Sequence, residues 1–168
     1  MLSRAGGDAV LGVGGTAMID PGDFTPDALR KIAPACSDCP DGGLVDVAQG
    51  QVIYPNRRDL WAHDDGTPRW WWLCKCGAYV GTHKGTLKPL GSPAGEATRK
   101  ARINAHAAFD PLWMKRQALS GLSTTAARGR GYKWLATELG IDRKDCHIGM
   151  MNAETARRVV EICKRRKP

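Results

Sequence analysis

Between residues 43 and 55 the chain reads GLVDVAQGQVIYP, with apolar and polar positions alternating around Gly50. A period of two belongs to a strand with one buried face, and the central glycine predicts a hairpin turning there. A second region, RRDLWAHDDGTPRWWWLC from 57 to 74, contains Asp65-Gly66 as a turn signal. It predicts another hairpin whose returning strand is the tryptophan run. On that strand Trp70 and Trp72 share one face and Trp71 takes the other. Trp72 is expected to pack inward, and at least one of Trp70 and Trp71 to stay partly exposed.

Upstream, TPDALRKIAP predicts a short helix, with Thr25 as cap, Pro26 at the first position and Pro34 beyond the end. Past residue 93 the pattern turns helical. AGEATRKARINAHAAF predicts a helix of about four turns, slim along Ala101, Ala105 and Ala108 and charged at Arg99, Lys100 and Arg102. Asp110-Pro111 then predicts a fresh start, with Asp110 capping a second helix over 111–120. GLSTTAARGRGY reads as a break with loop character, followed by a short helix, YKWLATELG, that Gly140 closes. Tyr132, Leu135 and Leu139 form its apolar side, broadened by Trp134. After a connector, Asn152 caps a last helix whose apolar side is Val159, Ile162 and Cys163. No solenoid-length repeat is present.

Composition adds limits. A chain of 168 residues, 42% apolar with 20 glycines, fits one domain or two small ones with generous loops. No apolar run approaches the ~18 residues of a membrane span, and AVLGVGG near the start is too short and glycine-rich for a signal peptide. The expectation is a soluble, cytoplasmic protein without membrane contact. The layout it suggests is a flexible lead with a short helix over 1–33, in which AVLGV is a candidate short strand. A zinc ribbon and connecting loop follow over 34–93, and a basic helical domain over 94–168. The fold class is α+β.

The formal charge is +8, unevenly spread. Residues 1–83 hold seven Lys/Arg against ten Asp/Glu, whereas residues 84–168 hold eighteen against seven. That asymmetry suggests a polyanionic partner for the second half, although basic solvated helix faces also serve solubility.

The candidate chemistry lies in the cysteines. Six thiols in a reducing compartment point to metal where they cluster. Cys36 and Cys39 form C-x-x-C, Cys74 and Cys76 form C-x-C, and 34 mostly strand-like residues separate the pairs. Two thiolate knuckles held by strands are the parts of a zinc ribbon. Such a site contributes roughly 10–16 kcal/mol of apparent folding free energy, more than a small sheet gains by packing. C-x-C is tighter than the usual second knuckle, so His63 or His83 remains an alternative to Cys76 as fourth ligand. Four cysteines also hold iron, but a single site of this form is more often structural zinc. Cys146 and Cys163 are expected to pack as small hydrophobes.

Four stretches, CGAYVGTHKGTLKPLG, RKARINAHAAFDPLW, YKWLATELGI and CHIGMMNAETARRVVEIC, resemble a family of small zinc-finger-containing proteins of bacteriophages and prophages. The resemblance covers about residues 34 to 163. It implies a ribbon similar to those appended to type IA topoisomerases, a helical part without assigned role, and a bacterial host cytoplasm. It implies no enzymatic activity. The short second knuckle and the long loop from Asn56 to Arg69 depart from the family pattern.

Three functions follow. In a nucleic-acid-binding module, Arg57, Arg58, Arg69, Lys75, His83, Lys84 and Lys88 meet phosphates while Trp70 or Trp71 stacks on bases. GTHKGTLK offers turn glycines and lysines to a phosphate but lacks Walker spacing. An adaptor for a host protein complex, such as a polymerase or defence system, uses exposed tryptophans as anchors instead. A nuclease draws on His83, His106, Asp110 and His147. No H-E-x-x-H or convergent carboxylate set supports it, so the chain is expected not to be an enzyme.

Overall fold

The structure, a computed structural model, describes residues 19–166; what the sequence suggests for residues 1–18, including the strand at AVLGV, lies outside the described residues. Helix α1 (Pro26–Ile32) begins where expected, with the Thr25 hydroxyl accepting from the Ala28 amide at 3.2 Å. Strands β1 (Val45–Gln49), β2 (Trp70–Cys74) and β3 (Tyr79–Gly81) form one antiparallel sheet in the order β1-β2-β3. The tryptophan run is therefore the central strand. Its register sets Trp72 between Val47 and Val80, and Trp71 between Ala48 and Gly81.

Neither predicted hairpin forms as drawn. Residues Gly50–Ile53 make a single helical turn, α2, and β1 pairs with β2 rather than with the segment after Gly50. Gly50 is buried, and a Cβ there would stand 2.4 Å from the Leu60 carbonyl oxygen, so close backbone approach explains the glycine. In the second region Gly66 does turn, at φ +79, but only Ala62 and Pro68 bridge across it. Residues Arg58–Leu60 curl into a 3-10 turn instead, held as the Trp61 indole donates to the Tyr54 carbonyl at 2.8 Å.

The second half is three helices: α3 (Glu96–Ser120), α4 (Thr124–Leu139) and α5 (Ala153–Arg165). Helix α3 runs straight through Asp110-Pro111, contrary to the predicted restart. Ala101, Ala105, Phe109 and Trp113, four apart in succession, are all buried. One apolar stripe thus continues across the proline, and its packing on α4 and α5 outweighs the ~3 kcal/mol a helix-interior proline costs. Asp110 is no cap; it accepts from the Trp113 indole at 2.9 Å.

Helix α4 likewise absorbs the expected break. Ser123 caps it, and Gly131 sits inside it because a Cβ there would come within 3.0 Å of Trp113 Cβ and 3.1 Å of Phe109 Cζ. The glycine is a crossing point, not a loop signal. Gly140 and Asn152 end α4 and begin α5 as the sequence indicates. Phe109, Leu135, Ile148 and Val159 centre the helical core, with Cys146 and Cys163 packed among them as small hydrophobes. Among the described residues no helix is long and apolar enough to cross a membrane.

Candidate metal centre

Each cysteine pair sits on a turn closed by backbone hydrogen bonds. The Cys36 amide donates to the Gly42 carbonyl at 2.6 Å and the Gly42 amide to the Cys39 carbonyl at 3.1 Å. In the second knuckle the Cys74 amide donates to Ala78 and the Gly77 amide to Cys74, both at 2.8 Å. Gly42, Gly43 and Gly77 adopt positive φ. Gly43 is also fixed sterically, since a Cβ there would lie 2.6 Å from Cys74 Sγ and 3.1 Å from Cys39 Sγ.

The register Val45↔Cys74 carries the second knuckle to the first. All four sulfur atoms lie within 4.8 Å of one another, with Cys36–Cys76 at 3.7 Å and Cys39–Cys74 at 3.8 Å. A tetrahedral ion with metal–sulfur bonds of about 2.3 Å has sulfur–sulfur edges of about 3.8 Å, so the arrangement fits. The electrostatics agree. Hydrogen bonds with Cys76 and Cys74 push the Cys39 thiol up to about 12, and burial raises that of Cys36. The Ala78 amide lowers that of Cys76. Thiols this close resist joint ionisation unless a cation sits among them. Neither His63 nor His83 belongs to the group.

The two residues inside the first knuckle face the helices. Asp38 accepts from the Gly95 amide at 2.5 Å and the Thr98 hydroxyl at 2.6 Å, placing a carboxylate at the start of α3, whose own cap residue, Gly95, has no side chain to offer. Ser37 donates its amide to the Pro93 carbonyl and its hydroxyl oxygen contacts that of Ser92. Both hydroxyls accept from Arg102, whose remaining donors reach the Ser92 carbonyl at 2.9 Å and the Met151 carbonyl at 2.7 Å. Arg102 is therefore not on a charged outer side, as its neighbours suggest, but buried where ribbon, connecting segment and α5 lead-in meet. Sequence reasoning missed Asp38 and Arg102. Nothing local distinguishes them, since Thr98 lies 60 residues from Asp38, and Met151 and Ser37 lie 49 and 65 residues from Arg102.

Several of the residues expected to meet nucleic acid are exposed, and some are engaged within the chain. Arg57 is exposed but doubly bonded to Asp59, at 2.9 and 2.7 Å, and Lys84 pairs with Asp65 at 2.7 Å. Arg58 is exposed with its guanidinium 5.8 Å from the Trp61 ring centroid. Arg69 is half-buried and donates to the Ala62 carbonyl. Lys75, His83 and Lys88 are exposed. Burial first, then the charges of Arg69 and Lys84, hold the His63 imidazole below its usual range, so these cations share one neighbourhood. Trp70 and Trp71 are both half-buried. The Trp70 indole donates to the Ile19 carbonyl, and Trp71 packs edge-on against Tyr54 and Tyr79 with centroids at 5.3 and 5.8 Å. Trp72 is fully buried, its indole bonded to the Leu87 carbonyl, as the sequence indicates.

Sheet, knuckles and thiol cluster define a zinc-finger class of protein. Residues 34–166 match a family described as a zinc-finger-containing domain, and the chain belongs to that family. Comparison with curated proteins and with solved structures gives no match.

Proposed function

We propose that the chain is a non-catalytic zinc-ribbon protein of a phage or prophage, acting in the bacterial cytoplasm by binding nucleic acid through backbone phosphates. Cys36, Cys39, Cys74 and Cys76 hold one Zn²⁺, which fixes the two turns and, through Ser37 and Asp38, the seat of α3. The observation that carries the binding reading is the unpaired charge of the second half. Among the described lysines and arginines from 84 onward, only Lys84 and Lys144 meet a carboxylate within 4.0 Å, and most of the others are exposed. Such a surface attracts phosphates through counterion release. On the ribbon, Lys75, His83 and Lys88 have no acidic partner among the described residues, whereas Arg57 and Lys84 would exchange theirs for phosphate. Asp110 is engaged by both His106 and Trp113, which favours a structural over a catalytic use of that pair.

An apolar groove of about 340 Å³ between α3 and α4 favours a second reading. Phe109, Trp113 and Trp134 line it under a rim of Lys115, Arg116, Arg130 and Arg166, which suits an apolar anchor on an acidic host protein. Salt separates the two readings. Affinity for a mixed-sequence oligonucleotide should fall steeply and linearly on a log–log plot as salt rises, and Arg57→Glu, Arg58→Glu and Lys84→Glu together should weaken it. Unchanged binding in the triple variant, with a protein partner that survives nuclease treatment, would select the adaptor.

A further inference from the structure

Away from the ribbon, the first turns of α4 and the connector before α5 enclose a notch of about 350 Å³. Arg128 and Arg143 line it, with guanidinium carbons 5.7 and 5.1 Å from the Tyr132 ring centroid. His147 lies parallel to that ring, 14° between planes and 5.9 Å between centroids. Among the described residues neither arginine has a carboxylate partner, and the nearby Asp142 is paired with Lys144 at 3.7 Å. Partial burial, then the charges of Arg128, His106, Arg143 and Arg102, hold the His147 imidazole below its usual range.

Three further features point the same way. Thr124 and Thr125, at the first two positions of α4, bring hydroxyls and the free amides of a 16-residue helix to the notch. Tyr132, in its lining, is 3% exposed, and among the described residues its hydroxyl has no hydrogen-bond partner. Gly129, also in the lining, lies inside α4 although nothing stands within 4 Å of where its Cβ would be. Packing does not require a glycine there, unlike Gly131 two residues on, and a glycine weakens the helix. Bare backbone at Gly129 leaves open space in the lining of the notch.

We propose that Arg128, Arg143 and His147, with the Thr124 and Thr125 hydroxyls and the helix amides, form a binding site for a phosphate group. The arginines supply charge-assisted donors, the helix terminus adds neutral ones, and Gly129 leaves room for the oxygens. The site is distinct from the ribbon and does not depend on its reading.

The test titrates inorganic phosphate into the zinc-loaded full chain at fixed ionic strength, following arginine Nε and histidine ring signals by NMR. Saturable binding of one phosphate should move Arg128, Arg143 and His147 together. Arg128→Ala with Arg143→Ala should weaken it at least tenfold. Gly129→Ala should weaken it several-fold while raising Tm, a pairing that a purely structural glycine does not give. Non-saturable shifts, or full affinity in Gly129→Ala and the double variant, would overturn the site. Competition identifies the source. Displacement by a 5′-phosphorylated but not a 5′-hydroxyl oligonucleotide assigns a terminal phosphate, equal displacement by both assigns backbone phosphodiesters, and displacement by free nucleotide alone assigns a small ligand.

Discussion

Asp38, between two cysteines of the metal cluster, holds the Thr98 hydroxyl at 2.6 Å in the first turn of α3. The knuckle that would bind the ion is thus also the cap of the longest helix, and metal binding and helix seating share one turn of backbone. Asp38→Ala should destabilise the protein by about 1–2 kcal/mol, the range for loss of an N-terminal capping side chain. Denaturant unfolding of the zinc-loaded chain checks this. Asp38→Asn should recover part of the loss, because an amide oxygen still accepts while the favourable charge near the helix dipole is gone.

Gly43 holds φ +66, and a Cβ there would crowd two of the four sulfurs. Gly43→Ala places a methyl group where Cys74 Sγ stands, so the cluster must spread. Competition against a chromophoric chelator should show zinc affinity lowered by at least tenfold. The helical far-UV signal at saturating zinc should change little.

Gly129 and Gly131 lie two residues apart in one helix and should respond with opposite sign. Gly129→Ala meets nothing and should gain up to ~1 kcal/mol from helix propensity alone. Gly131→Val drives into Trp113 and Phe109 and should lose about 1–3 kcal/mol through overpacking. Paired thermal melts decide the signs.

Much of this was legible in local chemistry. Thr25, Gly140 and Asn152 act within one turn of themselves, so cap identity alone located three helix ends. Each cysteine knuckle is legible because spacing within a pair is a local property, while the strand register brings the two pairs together. What misled were signals that distant packing overrides. Pro111 and Gly131 look like breaks until the stripe from Ala101 to Trp113 and its contact with α4 are known. Gly50 looks like a hairpin turn until Leu60 is found against it. Arg102 looks like solvent-facing charge until Ser37, Ser92 and Met151 surround it. Leu60, Trp113 and Ser37 lie beyond the local windows of Gly50, Gly131 and Arg102, whereas the stripe across Pro111 recurs every four residues and only the helix it packs on is remote.

The shared thiolate cage is the claim on which the rest stands, and cobalt substitution addresses it most directly. Full-length protein refolded with Co²⁺ should bind one tight equivalent and show the intense visible d–d bands and thiolate charge transfer of a tetrahedral four-sulfur site. Both Cys36→Ser and Cys74→Ser should weaken that spectrum and its affinity. A weak, octahedral-type spectrum in the native chain, or an unaltered one in either serine variant, would contradict the account.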